Sequence, residues 1–405
     1  MKVFNFFAWR LFSRRWLLSL LMLVLLFASN YLTFTIARSL ISTNEGYRQI
    51  QSFNQKGFYI ANLAPNSTPN MDKIRLKKTR QVYGYLRQHF KYALTTEGFT
   101  VNVAHMKMDA SLSYLNENAY RLRNFKLAQG KKIDFDQRFK SKQIPVLIGA
   151  GLAKKYPLAS VIKITDPVLN KPVSFKVVGI LKKDTSQANF YALNSKNYTN
   201  FTIVVPIQNT FLNQASKAFL LNGLMDLTLM NAKKGQLKNF QQIIAQKLHF
   251  NLNFYSQKQN NAFFNKYYLS NIKLILLVTL VLLLSALFFI LWNSYISVNL
   301  MLKALTLNLL LGLSYRKLKR IFYGYFWMLE SFTLMMVAAV VWHTHFNAWQ
   351  QLDPLFAIYG TLGFLPMEWK ALGWVLIVAL VSSVFTVETM MHFVKKMPIS
   401  LGVLQ

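Results

Sequence analysis

Four stretches of this chain are long and apolar enough to cross a lipid bilayer, which requires about 20 residues of helix. They lie at 17–36 and at about 269–298, 322–342 and 371–394. About 230 residues between the first and the second contain no such stretch. The pattern predicts a membrane protein with four transmembrane α-helices in a one-plus-three order. A large domain is inserted between the first helix and the second.

The composition excludes several other classes of protein. Hydrophobic residues make up 53% of the 405 residues and charged residues only 15%, whereas soluble domains carry about 25% charged residues. A purely soluble enzyme and a disordered chain are both excluded. The chain has no cysteine, so disulfides, thiolate zinc sites and cysteine nucleophiles are excluded as well.

The first apolar stretch admits two interpretations. The basic residues before it, followed by 17–27, are also typical of a signal peptide. The apolar character continues to residue 36 without a small-residue cleavage site, which favours an uncleaved helix. Residues 3–12 combine aromatic side chains with Arg10, a pattern that predicts a short amphipathic lead-in at the headgroups.

Positive charge near the membrane predicts the orientation, because cytoplasmic loops are enriched in Lys and Arg. Basic residues without an acid occur in the N-terminal tail, in the 299–321 loop and in the C-terminal tail. The 343–370 loop carries Lys370 against Asp353 and Glu368. We expect both termini and the 299–321 loop to be cytoplasmic. The 40–267 domain and the 343–370 loop are then extracytoplasmic, in a multi-pass protein of the plasma membrane.

The inserted region has the alternation and helical spacing of an α+β domain. Strands are predicted at 57–63, 100–106, 160–165, 173–181, 201–206, 219–230 and 251–255, and helices at 79–93 and 236–248. The domain boundaries that we predict are 1–39 for the lead-in and first helix, 40–267 for the α+β domain and 268–405 for the remaining helices. One core shared by these elements makes a folded domain rather than a linker.

The inserted domain is strongly basic. Residues 40–267 contain 33 Lys and Arg against 10 Asp and Glu, a net charge of +23. One interpretation is a solvated lysine-rich surface. The other is attraction to an anionic partner, such as a wall polymer or anionic lipid headgroups. Nucleic acid is a poor candidate for an outward-facing domain, and the sequence has no nucleic-acid-binding motif.

Two segments resemble one known family. Residues 144–184 contain Leu152-Ala153-Lys154-Lys155 and then the strand pattern FKVVGIL at 175–181, followed by IVVPI at 203–207. Downstream, LLGLS at 310–314 precedes Arg316, Lys317 and Phe322. Both segments, with the one-plus-three order of helices, resemble MacB-type, FtsX-like ABC transporter permeases. In that family a short helix ends in the Leu-Ala-Lys-Lys motif.

The resemblance implies a role for the second segment, which contacts the ATPase in the family. We expect residues from about 303 to 320 to form the helix that docks on an ATPase, with a tight bend at the turn over 312–314 and with Leu313 and Tyr315 as apolar contacts. The candidate coupling residues are Lys303, Gly312, Leu313, Ser314, Tyr315, Arg316, Lys317, Lys319 and Arg320. The chain departs from the family pattern at Ala304, Asn308 and Tyr325, which leaves the details of coupling open.

The resemblance also implies the partners. The chain has no G-x-x-x-x-G-K-[ST] motif, so ATP is expected on a separate ABC ATPase subunit. A second copy or a sister permease would complete a dimer, and an adaptor or a wall hydrolase is a further candidate partner. The expected function is export of, or resistance to, peptides or antibiotics through motion of the outer domain. Control of wall hydrolases or of a sensor kinase, and extraction of lipids or lipoproteins, remain alternatives.

We predict no enzymatic activity, catalytic residue, cofactor or metal site in the chain itself. A catalytic pair at Asp134 and Asp136, and a metal site at His343, His345 or His392, are both disfavoured by spacing. Glu330 and Glu388 fall within predicted membrane helices, where an acid usually has a partner or a role. Each either forms an interhelical hydrogen bond, extends to the headgroups, or pairs with the basic cluster at 316–320.

Overall fold

The computed structural model describes residues 16–67, 69–103, 108–135, 143–190, 192–300, 302–351, 361 and 363–396. The lead-in at 3–12 lies outside the described residues, as do the basic N-terminal residues, residues 104–106 and Asp136. The described helices are α1 (Trp16–Ile50), α2 (Leu76–His89), α3 (Glu117–Arg123), α4 (Asn209–Gln214), α5 (Lys217–Met225), α6 (Lys234–Leu248), α7 (Gln257–Phe263), α8 (Ser270–Leu300), α9 (Leu302–Leu310), α10 (Tyr315–Gln351) and α11 (Pro366–Lys396).

The described strands are β1 (Tyr59–Leu63), β2 (Lys91–Ala93), β3 (Thr95–Asn102), β4 (Asp109–Leu115), β5 (Leu127–Gly130), β6 (Gln143–Ile148), β7 (Val161–Asp166), β8 (Lys171–Leu181), β9 (Ser186–Ala188), β10 (Lys196–Tyr198), β11 (Thr202–Pro206), β12 (Thr228–Met230) and β13 (Leu252–Ser256). Short 3₁₀ and π segments occupy Met71–Lys73 and Phe264–Leu269.

The chain forms two compact units. The helical unit comprises Met1–Ile41, Ser270–Thr344 and Phe364–Gln405. The α+β unit comprises Ser42–Leu269 and His345–Gly363. The last segment lies in what the sequence analysis treats as a loop, and its Trp349 packs against Phe201 of the α+β unit with ring centroids 6.0 Å apart.

All four predicted membrane helices are present, and each is longer than the apolar stretch that predicted it. Candidate membrane spans run over Trp16–Ile50, Gln257–Leu300, Tyr315–Gln351 and Pro366–Lys396. Their shared apolar surface contains residues from α1, α8, α9, α10 and α11. Arg38 of α1 also pairs with the buried Glu368 of α11 at 3.2 Å. The expected fold class, a four-helix membrane protein with an inserted α+β domain, is confirmed.

The α+β unit is built on three sheets among the described residues. A four-stranded antiparallel sheet has the order β13-β1-β12-β2, and β9 pairs with β10. The largest sheet has the order β3-β4-β11-β6-β8-β5, with β7 also paired to β8. In this sheet β11 is parallel to β4, and β6 is parallel to β8. The antiparallel pairs β7–β8 and β3–β4 complete a mixed sheet.

Helices α2, α5 and α6 share one apolar core with these strands. Tyr83, Phe219 and Phe240 are among its largest fully buried side chains. The Tyr83 hydroxyl donates to the Leu220 carbonyl at 2.8 Å, so its polar atom is satisfied inside the core. Removing a ring as large as Phe240 from such a core costs about 3–5 kcal/mol. This core gives the α+β unit a shared apolar interior.

One predicted strand is wrong. Residues 219–230 were expected to be extended, but helix α5 covers Lys217–Met225 and only Thr228–Met230 is a strand. The Ser216 hydroxyl accepts the Phe219 N–H at 3.4 Å and caps the helix. The run FLLNGLM is apolar on nearly every side, and such a run does not distinguish a buried strand from a buried helix.

The Leu152-Ala153-Lys154-Lys155 motif is a series of turns rather than the short helix that the family pattern implies. The N–H groups of Leu152 and Lys155 reach back three residues, to the carbonyls of Gly149 and Leu152. Only Tyr156 makes the four-residue bond of an α-helix, to Leu152. The FKVVGIL pattern does lie in strand β8, where Phe175 and Val177 are buried and Lys176 is exposed.

Candidate functional site

The basic segment between the second and third membrane helices is a helix, a tight turn and the start of another helix. Helix α9 ends at Leu310, and α10 begins at Tyr315. The turn predicted at 312–314 is present, and it divides the helix predicted over 303–320 into two helices. The physical reason is Gly312, which adopts a φ of +95°. That left-handed conformation ends an α-helix and favours glycine.

The hydrogen bonds of the turn are those of a Schellman cap. The Leu313 N–H reaches the Asn308 carbonyl at 2.9 Å, and the Gly312 N–H reaches the Leu309 carbonyl at 3.1 Å. Ser314 then starts the next helix, because its hydroxyl accepts the Lys317 N–H at 3.3 Å. The segment is thus a defined corner, because a cap at the end of α9 and another at the start of α10 satisfy the backbone groups of both helices.

The most exposed apolar side chain at this corner is Leu311, not Leu313. Leu311 is 85% exposed, and Tyr315 is 36% exposed. Leu313 instead packs, half-buried, against the apolar cluster of the helical unit. A residue in the position of Leu313 in a Schellman cap commonly makes such a contact. Leu311 is not among the residues predicted from the sequence, although the glycine that follows it is a signal for the end of a helix.

The first turns of α10 separate basic and apolar residues on two faces. Leu318, Ile321 and Phe322 are buried in the apolar cluster of the helical unit. Arg316, Lys317 and Arg320 lie on the other face and are exposed, as is Lys303 on α9. Together with Leu311 and Tyr315, these four residues form the surface that we call the coupling corner.

Lys319 instead forms a partly exposed ion pair with another helix of the helical unit. Its ammonium group lies 2.5 Å from a carboxylate oxygen of Glu388 on α11. The Tyr323 hydroxyl donates to the same oxygen at 2.9 Å. Glu388 therefore pairs with the 316–320 cluster, which was one of the alternatives left open for the two membrane acids.

Glu330 is buried and forms interhelical hydrogen bonds. Its side chain accepts from the Asn30 amide of α1 at 2.9 Å and from the Ser382 hydroxyl of α11 at 3.5 Å. The same Asn30 amide also donates to Thr333 at 2.9 Å. One acid thus connects three helices.

The three departures from the family pattern fall in different surroundings. Asn308 supplies the carbonyl that closes the cap of α9. Tyr325 is buried in the helical unit, with its hydroxyl 3.3 Å from that of Ser19. Ala304 lies within α9, and its side chain is outside the part of the chain that the structure describes.

The α+β unit contains a buried charged group that the sequence analysis did not identify. An Arg123 nitrogen lies 3.7 Å from a Glu97 carboxylate oxygen, and Asp226 interacts electrostatically with both. Burial and then the Glu97 charge raise the pKa of Asp226 from 3.8 to about 6, although Arg123 opposes the rise. Burial lowers the pKa of the Arg123 guanidinium. These residues are too far apart in sequence for any local pattern to associate them.

The described ranges contain no group of three or more His, Cys, Asp or Glu side chains positioned to hold a metal ion. His343 and His345 lie on α10 and His392 on α11. Of the two acids Asp134 and Asp136, which the sequence disfavours as a catalytic pair, only Asp134 belongs to the residues that the structure describes.

The comparisons with known proteins concern the inserted domain and the first helix. The model of the MacB-like periplasmic core domain family matches residues 17–244, more than half of the chain. This chain is a MacB-like ABC transporter permease. The expected family is confirmed, and with it a membrane protein that carries an extracytoplasmic α+β domain. No curated protein matches the chain.

Three solved structures are similar to parts of this MacB-like permease. The extracellular domain of the noncanonic ABC-type transporter YknZ from Gram-positive bacteria is 12% identical, with a TM-score of 0.28, and covers 49% of this chain and 100% of its own. The periplasmic region of MacB from Actinobacillus actinomycetemcomitans is 10% identical, with a TM-score of 0.31, and covers 55% and 98%. A domain of a putative permease from Porphyromonas gingivalis is 9% identical, with a TM-score of 0.28, and covers 49% and 90%.

Proposed function

We propose that this permease is the membrane-spanning subunit of an ABC transporter whose separate ATPase subunit docks at the coupling corner. The observation that carries the proposal is the exposure of Leu311 and Tyr315 at the turn between α9 and α10, with four exposed basic residues on these two helices. An apolar centre with a charged rim is typical of a protein interface. The side chains that surround the corner are positively charged, so the matching ATPase surface is acidic.

ATP binds to the partner subunit in this proposal, and the permease itself is not an enzyme. Closure of two ATPases under a dimer of identical or sister permeases moves the corners, and the extracytoplasmic domain moves in turn. The residues that act are Leu311 and Tyr315 as anchors, with Lys303, Arg316, Lys317 and Arg320 at the rim. The transporter serves export of, or resistance to, peptides or antibiotics.

The proposed arrangement places both termini in the cytoplasm and residues 40–267 outside the plasma membrane. Two observations support this orientation. The exposed basic residues of the coupling corner fit the cytoplasmic side. His345–Gly363 belongs to the same compact unit as Ser42–Leu269. This agrees with a topology in which the 343–370 loop and the inserted domain lie on the same side of the membrane.

The test replaces the two apolar anchors and keeps every positive charge. A Leu311→Ser/Tyr315→Ser permease is co-expressed with its ATPase and purified. Interface anchors contribute over about 1 kcal/mol each, so binding should weaken roughly thirtyfold, since 1.4 kcal/mol is tenfold. ATP hydrolysis stimulated by the permease should fall with it.

Lys319→Gln is the matched control, because it removes a basic residue that pairs with Glu388 and leaves the corner intact. The control should bind the ATPase like the parent. Parent-like co-purification and hydrolysis of the double variant would refute docking at this corner.

A further inference from the structure

Two neighbouring cavities in the α+β unit differ sharply in chemistry. The first has a volume of about 330 Å³ and is lined mostly by apolar and aromatic side chains, and none of the described residues that line it is charged. The second has a volume of about 390 Å³ and is lined by Arg123, Lys126, Lys182 and Lys183 against a single acid, Asp184. Both volumes fall in the range of small-molecule sites, about 300–1,000 Å³.

The apolar cavity has aromatic walls held in defined positions. The rings of Tyr47 and Phe264 stack with centroids 4.4 Å apart, and Phe264 stacks on Tyr268 at 5.7 Å. Phe264 and Tyr268 lie in the π-helical segment, a rare conformation that is frequent at functional sites. In a chain with a net charge of +33, a cavity lined by neutral side chains favours an uncharged, apolar occupant.

Three of the amides that line the apolar cavity satisfy one another. Asn54 donates to Asn261 at 2.8 Å, and Asn260 donates to Asn54 at 3.1 Å. These hydrogen bonds hold the three amides in place, so a ligand is not needed to satisfy them. Apart from Asn62 and Gln259, the rest of the lining consists of rings and aliphatic side chains, which suit a hydrocarbon chain.

The basic cavity contains buried polar atoms that lack a partner. The Gln187 side chain is 6% exposed, and neither its amide oxygen nor its amide nitrogen has a hydrogen-bond partner in the described part of the chain. The Arg123 Nε atom is also buried without a hydrogen-bond partner in the described part of the chain. Buried polar groups are nearly always paired. The acid in the lining is already engaged, since Asp184 accepts the Asn200 amide at 2.9 Å.

Ile50 and Phe190 line both cavities, so the two spaces meet at these side chains. Phe190 is also held on the basic side by an edge-to-face contact with Phe53, with ring centroids 5.1 Å apart. A ligand that crosses Phe190 reaches neutral aromatic walls in one direction and four cationic side chains in the other.

We infer that the extracytoplasmic domain binds an anionic amphiphile across Phe190. Its hydrocarbon chain lies against Tyr47 and Phe264, and its phosphate or carboxylate lies among Lys126, Lys182 and Lys183. Arg123 Nε and the Gln187 amide then donate to the head group. The inference does not depend on ATPase docking, because every residue that it uses belongs to the α+β unit.

The test uses the full chain in nanodiscs of neutral lipid, without an ATPase. A lysophosphatidic acid with a photoreactive group near the end of its chain is crosslinked, and the modified peptides are mapped by mass spectrometry. We expect crosslinks in the peptides that contain Tyr47 and Phe264. Unlabelled lysophosphatidic acid should compete at least tenfold better than the monoacylglycerol of the same chain or than glycerol phosphate. Oleate competes as well as lysophosphatidic acid if the head is a carboxylate, and less well if it is a phosphate.

The variants separate this site from general attraction to a basic domain. Lys182→Glu/Lys183→Glu should reduce crosslinking at these peptides at least fivefold. Lys154→Glu/Lys155→Glu makes the same change of charge at exposed residues that line neither cavity, and crosslinking should remain within twofold of the parent. Ala262→Trp fills the apolar cavity from an exposed helical position and should also abolish crosslinking there.

Three results would overturn the inference. Equal competition by monoacylglycerol or by glycerol phosphate would show that only one of the cavities binds. If the two lysine-pair variants lose crosslinking equally, binding depends only on the net charge of the domain. Crosslinks confined to the membrane helices would show that the amphiphile only partitions into the bilayer.

Discussion

At the residue scale, Glu330 and Glu388 show how differently two membrane acids are accommodated. Glu330 is 3% exposed and bonded to other helices, whereas the Glu388 side chain is 49% exposed beside Lys319. A buried acceptor that loses its donor destabilises the fold by the cost of its desolvation, whereas an exposed ion pair contributes little to the free energy of unfolding. We therefore expect the two sites to respond differently to the loss of a partner.

The first prediction concerns the buried acid. Asn30→Leu removes the amide donor from Glu330 and should destabilise the protein by about 1–3 kcal/mol. Asn30→Leu/Glu330→Leu should recover most of the loss, because replacing both partners with apolar groups is often nearly neutral. Thermal unfolding of the purified protein in detergent measures both effects. Lys319→Gln, at the exposed pair, should leave the Tm unchanged. A double variant less stable than Asn30→Leu would contradict this account.

The second prediction uses the raised pKa of Asp226. The folded state holds the proton up to about pH 6, while the unfolded chain releases it near 3.8. The contribution of Asp226 to the free energy of unfolding therefore falls as the pH rises from about 4 to 6. Asp226→Asn should raise stability by roughly 1–3 kcal/mol at pH 8 and have little effect at pH 3.5. The measurement is the Tm difference between variant and parent at each pH. A destabilised variant at pH 8 would mean that the ionised Asp226–Arg123 attraction outweighs burial.

At the element scale, the corner between α9 and α10 depends on one backbone conformation. No atom lies within 4 Å of the Cβ that an alanine would place at Gly312, so the cost of a substitution there is conformational. Gly373, in α11, also has open space around it but no left-handed φ. The two glycines make a matched pair.

The third prediction compares them. Gly312→Ala should lower the free energy of unfolding by about 1 kcal/mol, because an L residue is strained at a φ of +95°. Gly373→Ala should be neutral or stabilising, since alanine is the better helix former. Chemical denaturation of both variants gives the comparison. If Gly312→Ala is as stable as the parent, the cap does not determine the corner.

At the scale of the whole molecule, the proposed topology places the α+β unit and the coupling corner on opposite sides of the membrane. The chain contains no cysteine, so single introduced cysteines give a signal without background. Thr165, on β7, and Ser314, at the corner, are both exposed.

The fourth prediction is that an impermeant thiol reagent on intact cells labels Thr165→Cys and not Ser314→Cys. After permeabilisation both variants should be labelled, which controls for the accessibility of Ser314. The reverse pattern on intact cells would invert the proposed topology.

The sequence by itself determined the membrane helices, the inserted α+β domain and the family. Hydropathy and residue periodicity are local properties, and a window of about 20 residues contains all that is needed to recognise a membrane helix. The FKVVGIL pattern similarly encodes its own strand, since alternate residues point to opposite faces. Even so, the local signal failed at 219–230, where nearly every residue is apolar.

Only the tertiary structure decided which side chains meet. Asn30 contacts Glu330 across 300 positions of the chain, and Glu97, Arg123 and Asp226 come from three separate segments. The cap at Gly312 packs Leu313 against the apolar cluster of the helical unit and leaves Leu311 exposed. Nothing local in the sequence distinguishes these two leucines. Phe190 joins an apolar cavity to a basic one because segments far apart in sequence converge there. Such pairings depend on distances that folding alone creates, so no local pattern encodes them.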